Sequence, residues 1–383
     1  MTQLELTMTG ADVLLPGEGI VQSSLTIADG TVQAGKAGRQ VDLSGYIILP
    51  GIIDLHGDGF ERHIAPRRGA MKQMEEGIIS VEAELAANGI TTAVLAQFYS
   101  WEGGVRGPAF AAQVFEAIAS VKSSTVTDII PQLRFETHML DDYLDLPERV
   151  MNWQVPYVVF NDHVPHDRLA KGRTPPRLTG QALKAGRSPE AHLEMLQAMH
   201  SRKDEVPDAL DDLCSKLTGQ GVRIGSHDDA TAAERDRWRQ RGAPISEFPE
   251  TPEAAEAARL AGDHIILGSP NVVRGGSHKG NVSALDLIAM GLCDALASDY
   301  HYPSPRRAAL MLSKTGLVDL AGAWALVSSG PAAVLGLRDR GLLAPGKRAD
   351  LVVLDSKTYR VAATMAGGRI SHMSGDIAAR FFD

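Results

Sequence analysis

The rhythm of apolar and polar positions changes twice along the chain. Residues 4 to 49 hold short apolar runs, Val13-Leu14-Leu15, Ser24-Leu25-Thr26-Ile27 and Tyr46-Ile47-Ile48, separated by Pro16-Gly17, Asp29-Gly30 and Ser44-Gly45. Short runs punctuated by turn residues predict β-strands. From Ile52 onward, strand-like runs alternate with longer helical stretches, the pattern of a parallel α/β fold. The predicted strands are Ile52–Leu55, Thr91–Phe98, Ile129–Phe135, Val155–Phe160, Val222–Gly225, Ile245–Phe248, His264–Leu267 and Ala295–Ser298. Helices are expected over 71–88, with Gly89 placed to end the first, and over 109–122. The polar segment 165–207 is long, and its second half reads as helical. Long inserts after a strand commonly cover a site. Eight strands alternating with helices predict a (β/α)8 TIM-type barrel. Strand-like sequence returns at Arg348–Asp355 and Tyr359–Ala366. Together with residues 1–49 it predicts a small β-sandwich domain built from both termini, residues 1–49 and 340–383, around a barrel of residues 50–339.

Composition narrows the class. The chain has 383 residues, 44% hydrophobic and 22% charged, as expected of a globular fold with a large core. Its net charge of −9 argues against nucleic acid or an acidic membrane as partner. An anionic small molecule needs only a local basic pocket and remains compatible. Two cysteines far apart, Cys214 and Cys293, form no metal motif and suit a reducing compartment. Neither a secretion signal nor an apolar run of membrane-spanning length stands out, so a cytoplasmic protein is expected. A homo-oligomer is left open.

The chemistry lies where strands end. His56 and Asp58 follow the first barrel strand and, two residues apart, leave the same face of an extended chain. A His-x-Asp pair alone is commonly just a hydrogen-bonded histidine. Here Glu136, Asp162, His163, His227, Asp228, Asp229 and Asp299 end other strands, and parallel barrels bring those ends to one mouth. Asp162 and Asp228 also suit helix caps, whereas histidine is not a favoured cap. Three histidines with several carboxylates make a ligand set for Zn²⁺ or Mn²⁺. The stretch Asn271 to Lys279 combines Arg274, His278 and Lys279 with Gly275, Gly276 and Ser277. Glycines let backbone N–H groups approach an anion, although an ordinary turn with solvated charges has the same composition. Arg62, Arg67 and Arg68 form a second basic cluster with the same two readings. Two basic clusters at one mouth suit a substrate with several phosphates.

The sequence resembles the amidohydrolase superfamily. The likeness rests on Pro50-Gly51-Ile52-Ile53-Asp54-Leu55-His56, on the strand ending in Asp299, and on the tail from Gly330-Pro331 through Gly346-Lys347-Arg348-Ala349-Asp350 to Asp355. Four stretches resemble the phosphonate-catabolism branch of the superfamily: His56-Gly57-Asp58 with Phe60-Glu61-Arg62, Ser226 to Thr231, Gly268 to His278, and Leu296 to Tyr300. The resemblance implies a metal-dependent hydrolase with ligands at His56, Asp58, Glu136, His163 and His227, and with Asp299 as ligand and proton acceptor. It implies zinc first, with manganese or iron as alternatives, and one ion or two. Asp58 stands where most of the superfamily carries a second histidine, and the phosphonate branch shares that departure. With no clear lysine at a strand end, Glu136 is the candidate bridge between two ions.

The implied reaction is release of diphosphate from a ribose methylphosphonate 5-triphosphate by metal-activated water. Arg62, Asp228, Asn271, Arg274, Gly275, Gly276, Ser277, His278 and Lys279 would contact this phosphorylated small molecule. One alternative is hydrolysis of a C–N bond in a cyclic amide or N-acyl compound, which needs no cationic loop. The other is a non-catalytic subunit that docks in a phosphonate-processing complex.

Overall fold

The computed structural model describes residues 3–66, 73–275 and 282–382. Seven short strands come first: β1 (Leu6–Thr9), β2 (Asp12–Leu15), β3 (Gly19–Gln22), β4 (Leu25–Ala28), β5 (Thr31–Gln33), β6 (Arg39–Asp42) and β7 (Tyr46–Pro50). Eight barrel strands follow: β8 (Ile52–Gly57), β9 (Ile90–Tyr99), β10 (Asp128–Glu136), β11 (Tyr157–Asn161), β12 (Arg223–His227), β13 (Ile245–Glu247), β14 (His264–Gly268) and β15 (Ala295–Ala297). Three more close the chain: β16 (Leu351–Asp355), β17 (Val361–Ala366) and β18 (Arg369–Met373).

The barrel strands pair in sequence order, each parallel to the next. β8 and β15 meet at the ends of that sheet. There the Asp299 N–H donates to the His56 carbonyl at 2.8 Å and the Asp58 N–H donates to the Asp299 carbonyl at 2.9 Å. Buried Asp54 reinforces the seam, accepting from the Ser298 N–H at 2.8 Å and its hydroxyl at 2.5 Å. The closure therefore holds His56, Asp58 and Asp299 side by side.

The barrel is filled from below by Ile53, Leu55, Val94, Ile245, Ile266 and Ala295, with Val334 and Leu335 packed against them. Each strand then changes character toward its C-terminal end. On β10, Gln132, Arg134 and Glu136 alternate with apolar Leu133 and Phe135, and all five are buried. A period of two puts the three polar side chains on one face. A second apolar shell lies between the strands and the surrounding helices, including Met74–Ala87 and Pro108–Val121.

Both termini contribute to one sheet of order β18-β17-β16-β7-β2-β3, and β5-β4-β1-β6 forms a second. Leu6, Met8 and Ile27 of one sheet share a core with Val13, Ile48, Leu351 and Met365 of the other. In residues 4–49 the sequence shows three strands where the fold has seven: β1, β3, β5 and β6 are only three or four residues long, and each carries at most two apolar side chains. The segment 165–207 forms helices His166–Ala170, Leu178–Ala185 and Pro189–Ser201, anchored by a small core of Trp101, Val164, Leu178 and Leu196.

Candidate metal centre and substrate cavity

A cavity of about 320 Å³ opens at the C-terminal end of the barrel. Asp58, His163, His227, Asp228, Asn271 and Asp299 line it, with Arg106, Arg134, Phe98 and Phe248. The backbone turns sharply as strands enter this mouth. Asp228 (φ 61°), Phe248 (φ 55°) and Asp299 (φ 54°) all adopt the left-handed conformation that side chains other than glycine rarely take. Three such residues just past β12, β13 and β15 re-aim the chain into the cavity, and strained backbone of this kind gathers at functional sites.

His56 and His227 are brought together on the cavity floor, their ring centroids 5.5 Å apart. Both rings meet the edge or face of Phe248 at 5.3 and 5.1 Å. Glu247 at the end of β13 joins them, its Oε2 lying 2.8 Å from His56 Nδ1. The other carboxylate oxygen of Glu247 accepts from the Tyr157 phenol at 2.6 Å and from Gln132 at 2.9 Å. Burial alone would raise the Glu247 pKa, but His56, His227 and the phenol outweigh it and hold the carboxyl at about 2. Burial drives His227 the other way, down to about 4, which favours the neutral ring with one nitrogen free to accept.

His56, His227 and Glu247 each present one ligand atom, and those atoms all lie within 4.8 Å of one another. Among the described residues, both ring nitrogens of His56, Nδ1 of His227 and Oε2 of Glu247 are buried without an aligned hydrogen-bond partner. Two imidazole nitrogens and one carboxylate oxygen, buried and without aligned partners, fit a divalent ion of the zinc class. Glu136 and His163 make a separate pair, with the carboxylate accepting from the His163 ring at 2.5 Å and from its backbone N–H at 3.1 Å. Burial would lower the His163 pKa, but Glu136 outweighs it and raises it. Asp299 is pushed up to about 6 by burial and then by neighbouring Asp58.

Positive charge enters from residues that strand-end reasoning did not reach. Arg134 stacks on Phe98 at 3.9 Å and Arg106 lies over the same ring at 4.2 Å. Arg134 also reaches Asp58 Oδ2 at 3.5 Å and His227 Nε2 at 3.0 Å. The inward face of β10, Gln132-x-Arg134-x-Glu136, carried a signal for Arg134. Glu247 lay inside the predicted strand Ile245–Phe248, whereas the observed strand ends on it. Arg106 sits on a turn and had no local signal.

The remaining expected residues are placed as follows. Asn271 lines the cavity and accepts from Arg274 at 2.8 Å, while Arg274 itself ends helix Ser269–Arg274 and Gly275 follows with φ 75°. Gly276, Ser277, His278 and Lys279 lie outside the described residues, as do Arg67 and Arg68. Arg62 pairs with Glu84, donates to the Tyr300 carbonyl at 3.2 Å and lies over Tyr302 at 5.5 Å. Asp228 Oδ1 stands 3.2 Å from His227 Nδ1. Asp229 turns away into a buried network, accepting from Ser226 and Ser246 at 2.7 Å and from Arg235 at 3.0 Å. Asp162 faces His138 and His166.

Residues 278–372 match the model of the amidohydrolase family. The chain is 32% identical over 358 residues to alpha-D-ribose 1-methylphosphonate 5-triphosphate diphosphatase of Escherichia coli (strain K12), covering 89% of this chain and 93% of that protein. The chain belongs to the amidohydrolase superfamily. This amidohydrolase is a hydrolase of a group that generally binds divalent metals. Its fold is shared with a beta-aspartyl dipeptidase from Fervidobacterium islandicum AW-1, solved with a beta-Asp-Leu dipeptide, at TM-score 0.63 and 15% identity over 97% of both chains. It is shared also with an N-acyl-D-glutamate deacylase from Bordetella bronchiseptica, solved with zinc and a phosphonate inhibitor, at TM-score 0.60 and 15% identity over 96% of both chains. Among the described residues no helix is long and apolar enough to cross a membrane.

Proposed function

We propose that this amidohydrolase releases diphosphate from alpha-D-ribose 1-methylphosphonate 5-triphosphate, leaving the 5-monophosphate. The observation that carries the reading is the pair of arginines, Arg106 and Arg134, stacked on Phe98 inside the same cavity as the candidate ligands. A neutral amide has no need of two guanidinium groups beside its scissile bond, whereas a triphosphate does. The similarity to the E. coli diphosphatase over nearly its whole length supports the same reading.

His56, His227 and Glu247 would hold a divalent ion, with Asp58 and Asp299 beside them and Glu136 and His163 as the further ligands in a two-ion site. Such an ion supplies Lewis acidity and brings the pKa of a water to about 7. Asp299, raised to about 6 by burial and by Asp58, ionises just below neutral pH and would accept the proton of the attacking water. Arg134 and Arg106 bind the phosphate oxygens. Phe98 fixes both guanidinium planes, so little side-chain freedom is lost when substrate arrives. Phe248 packs edge-on against both histidine rings and would help to hold their orientation. Asn271 and Asp228 in the cavity wall, with Arg274 hydrogen-bonded to Asn271, would contact the outer phosphates, and Gly275 and Arg62 would add to that contact. Gly276 to Lys279 follow Gly275 in sequence.

The test is turnover by pure protein reconstituted with Zn²⁺ or Mn²⁺, offered the ribose phosphonate triphosphate and, separately, an N-acyl amino sugar and a β-aspartyl dipeptide. Diphosphate release with no amide turnover is expected. Amide turnover with no diphosphate release would replace this reading with C–N hydrolysis.

A further inference from the structure

Outside the cavity lining, three side chains converge at the junction between the barrel and the inserted segment. His138 lies two residues past β10, Asp162 one residue past β11, and His166 opens the first inserted helix. His138 Nε2 is 2.9 Å from His166 Nε2 and 3.3 Å from Asp162 Oδ2, and His166 Nε2 is 3.4 Å from the same oxygen. The His138 side chain is buried, at 3% exposure, and its Nδ1 has no partner among the described residues.

Ligands held about 2.0–2.2 Å from a tetrahedral zinc ion stand roughly 3.3–3.6 Å apart. The observed triangle has two edges of that length and one slightly shorter. Hydrogen bonding serves the same three atoms less well. A single N–H on one ring must then be split between an oxygen and a second ring nitrogen. The far side of His166 is also arranged as a ligand's would be: its Nδ1 is 2.8 Å from His200 Nδ1, so one ring donates to the other and fixes the orientation of His166. His200 belongs to helix Pro189–Ser201, the last helix of the insert.

We propose that His138, Asp162 and His166 bind a zinc-class divalent ion, separate from the cavity site, with water completing its coordination. The ion clips the insert to the ends of β10 and β11, and His200 acts as a positioning residue through His166. Two histidines and one carboxylate favour zinc over calcium or magnesium, which take all-oxygen shells.

The experiment is elemental analysis of zinc bound per chain in wild type, His166→Gln, His227→Ala and the double variant, with circular dichroism as the check on folding. His166→Gln should lose one equivalent, and the loss should add to that of His227→Ala. Folded His166→Gln that retains the wild-type zinc content overturns the proposal, whatever the fate of the cavity site. Histidine labelling of the wild type by diethyl pyrocarbonate covers the case in which the variant fails to fold. With zinc at about ten times its Kd, the rate at His166 should fall roughly tenfold, in step with the metal-free fraction. An unchanged rate at His166 would leave the cluster as a hydrogen-bonded relay and end the proposal.

Discussion

Replacing Arg134 by methionine removes a charge from the cavity while keeping much of its volume. Arg134 Nη1 stands 3.5 Å from Asp58 Oδ2, and its side chain is 6% exposed against 19% for Asp58. At an effective dielectric of about 20, unit charges at a separation of that order attract by roughly 5 kcal/mol before desolvation is counted. Desolvation cancels much of this, and a charge-assisted contact to a phosphate is worth about 1.5–3 kcal/mol net. The loss in kcat/KM for the triphosphate should therefore be roughly ten- to 150-fold. A second effect separates electrostatics from shape. Burial and then Asp58 raise the pKa of Asp299 to about 6, against the lowering effect of His56 and Arg134. Without Arg134 that pKa rises further. Asp299 accepts a proton only when ionised, so activity is lost as pH falls through its pKa, and the acidic limb should move to higher pH in the variant. The assay is steady-state diphosphate release across the pH range at fixed metal and ionic strength. A kcat/KM within about twofold of wild type, with the limb unmoved, would refute the role given to Arg134.

Three further outcomes are expected. Asp299→Asn should keep most of its bound metal while kcat falls by about 10²–10⁴, and a variant with near-wild-type kcat would remove Asp299 as proton acceptor. Asp229→Ala should leave Arg235 with Asp263 as its remaining carboxylate, take from Ser226 and Ser246 the oxygen that accepts from both, and cost about 1–3 kcal/mol in urea denaturation; unchanged stability would contradict the buried network. Arg274→Ala should mainly raise KM for the triphosphate, by roughly tenfold or more, with Arg274→Lys recovering only part; unchanged kinetics would return this helix end to an ordinary turn.

Much of the site was legible because parallel strands impose a simple geometry. Wherever an apolar run stopped at a polar residue, that residue could be placed at one mouth, which located His56, Asp58, His163, His227 and Asp299. The same rule applied to Asp162 and Asp229 and did not put them in the cavity. One residue's difference along a turning chain decides whether a carboxylate faces in or out, and sequence periodicity ends where the strand does. Glu247 went unremarked because β13 is only three residues long. Arg134 was hidden inside an apolar run, although its spacing from Glu136 placed it on the inner face. Arg106 could not be found locally, since its position depends on Phe98 across a turn. The terminal sheets were legible in outline from Tyr46–Ile48 and Arg348–Asp355, which pair as β7 and β16. Their shorter strands are held by the tertiary core and carry little pattern of their own.

The central claim is that this cavity splits a triphosphate between its first and second phosphorus. Phosphorus NMR of the ribose 1-methylphosphonate 5-triphosphate incubated with pure, metal-loaded protein reads that bond directly. The account predicts that the triphosphate signals give way to one diphosphate resonance and one 5-monophosphate resonance in equal amounts, with the phosphonate signal intact. Release of inorganic phosphate or triphosphate instead, or an unchanged spectrum from protein that hydrolyses an N-acyl compound, would contradict it.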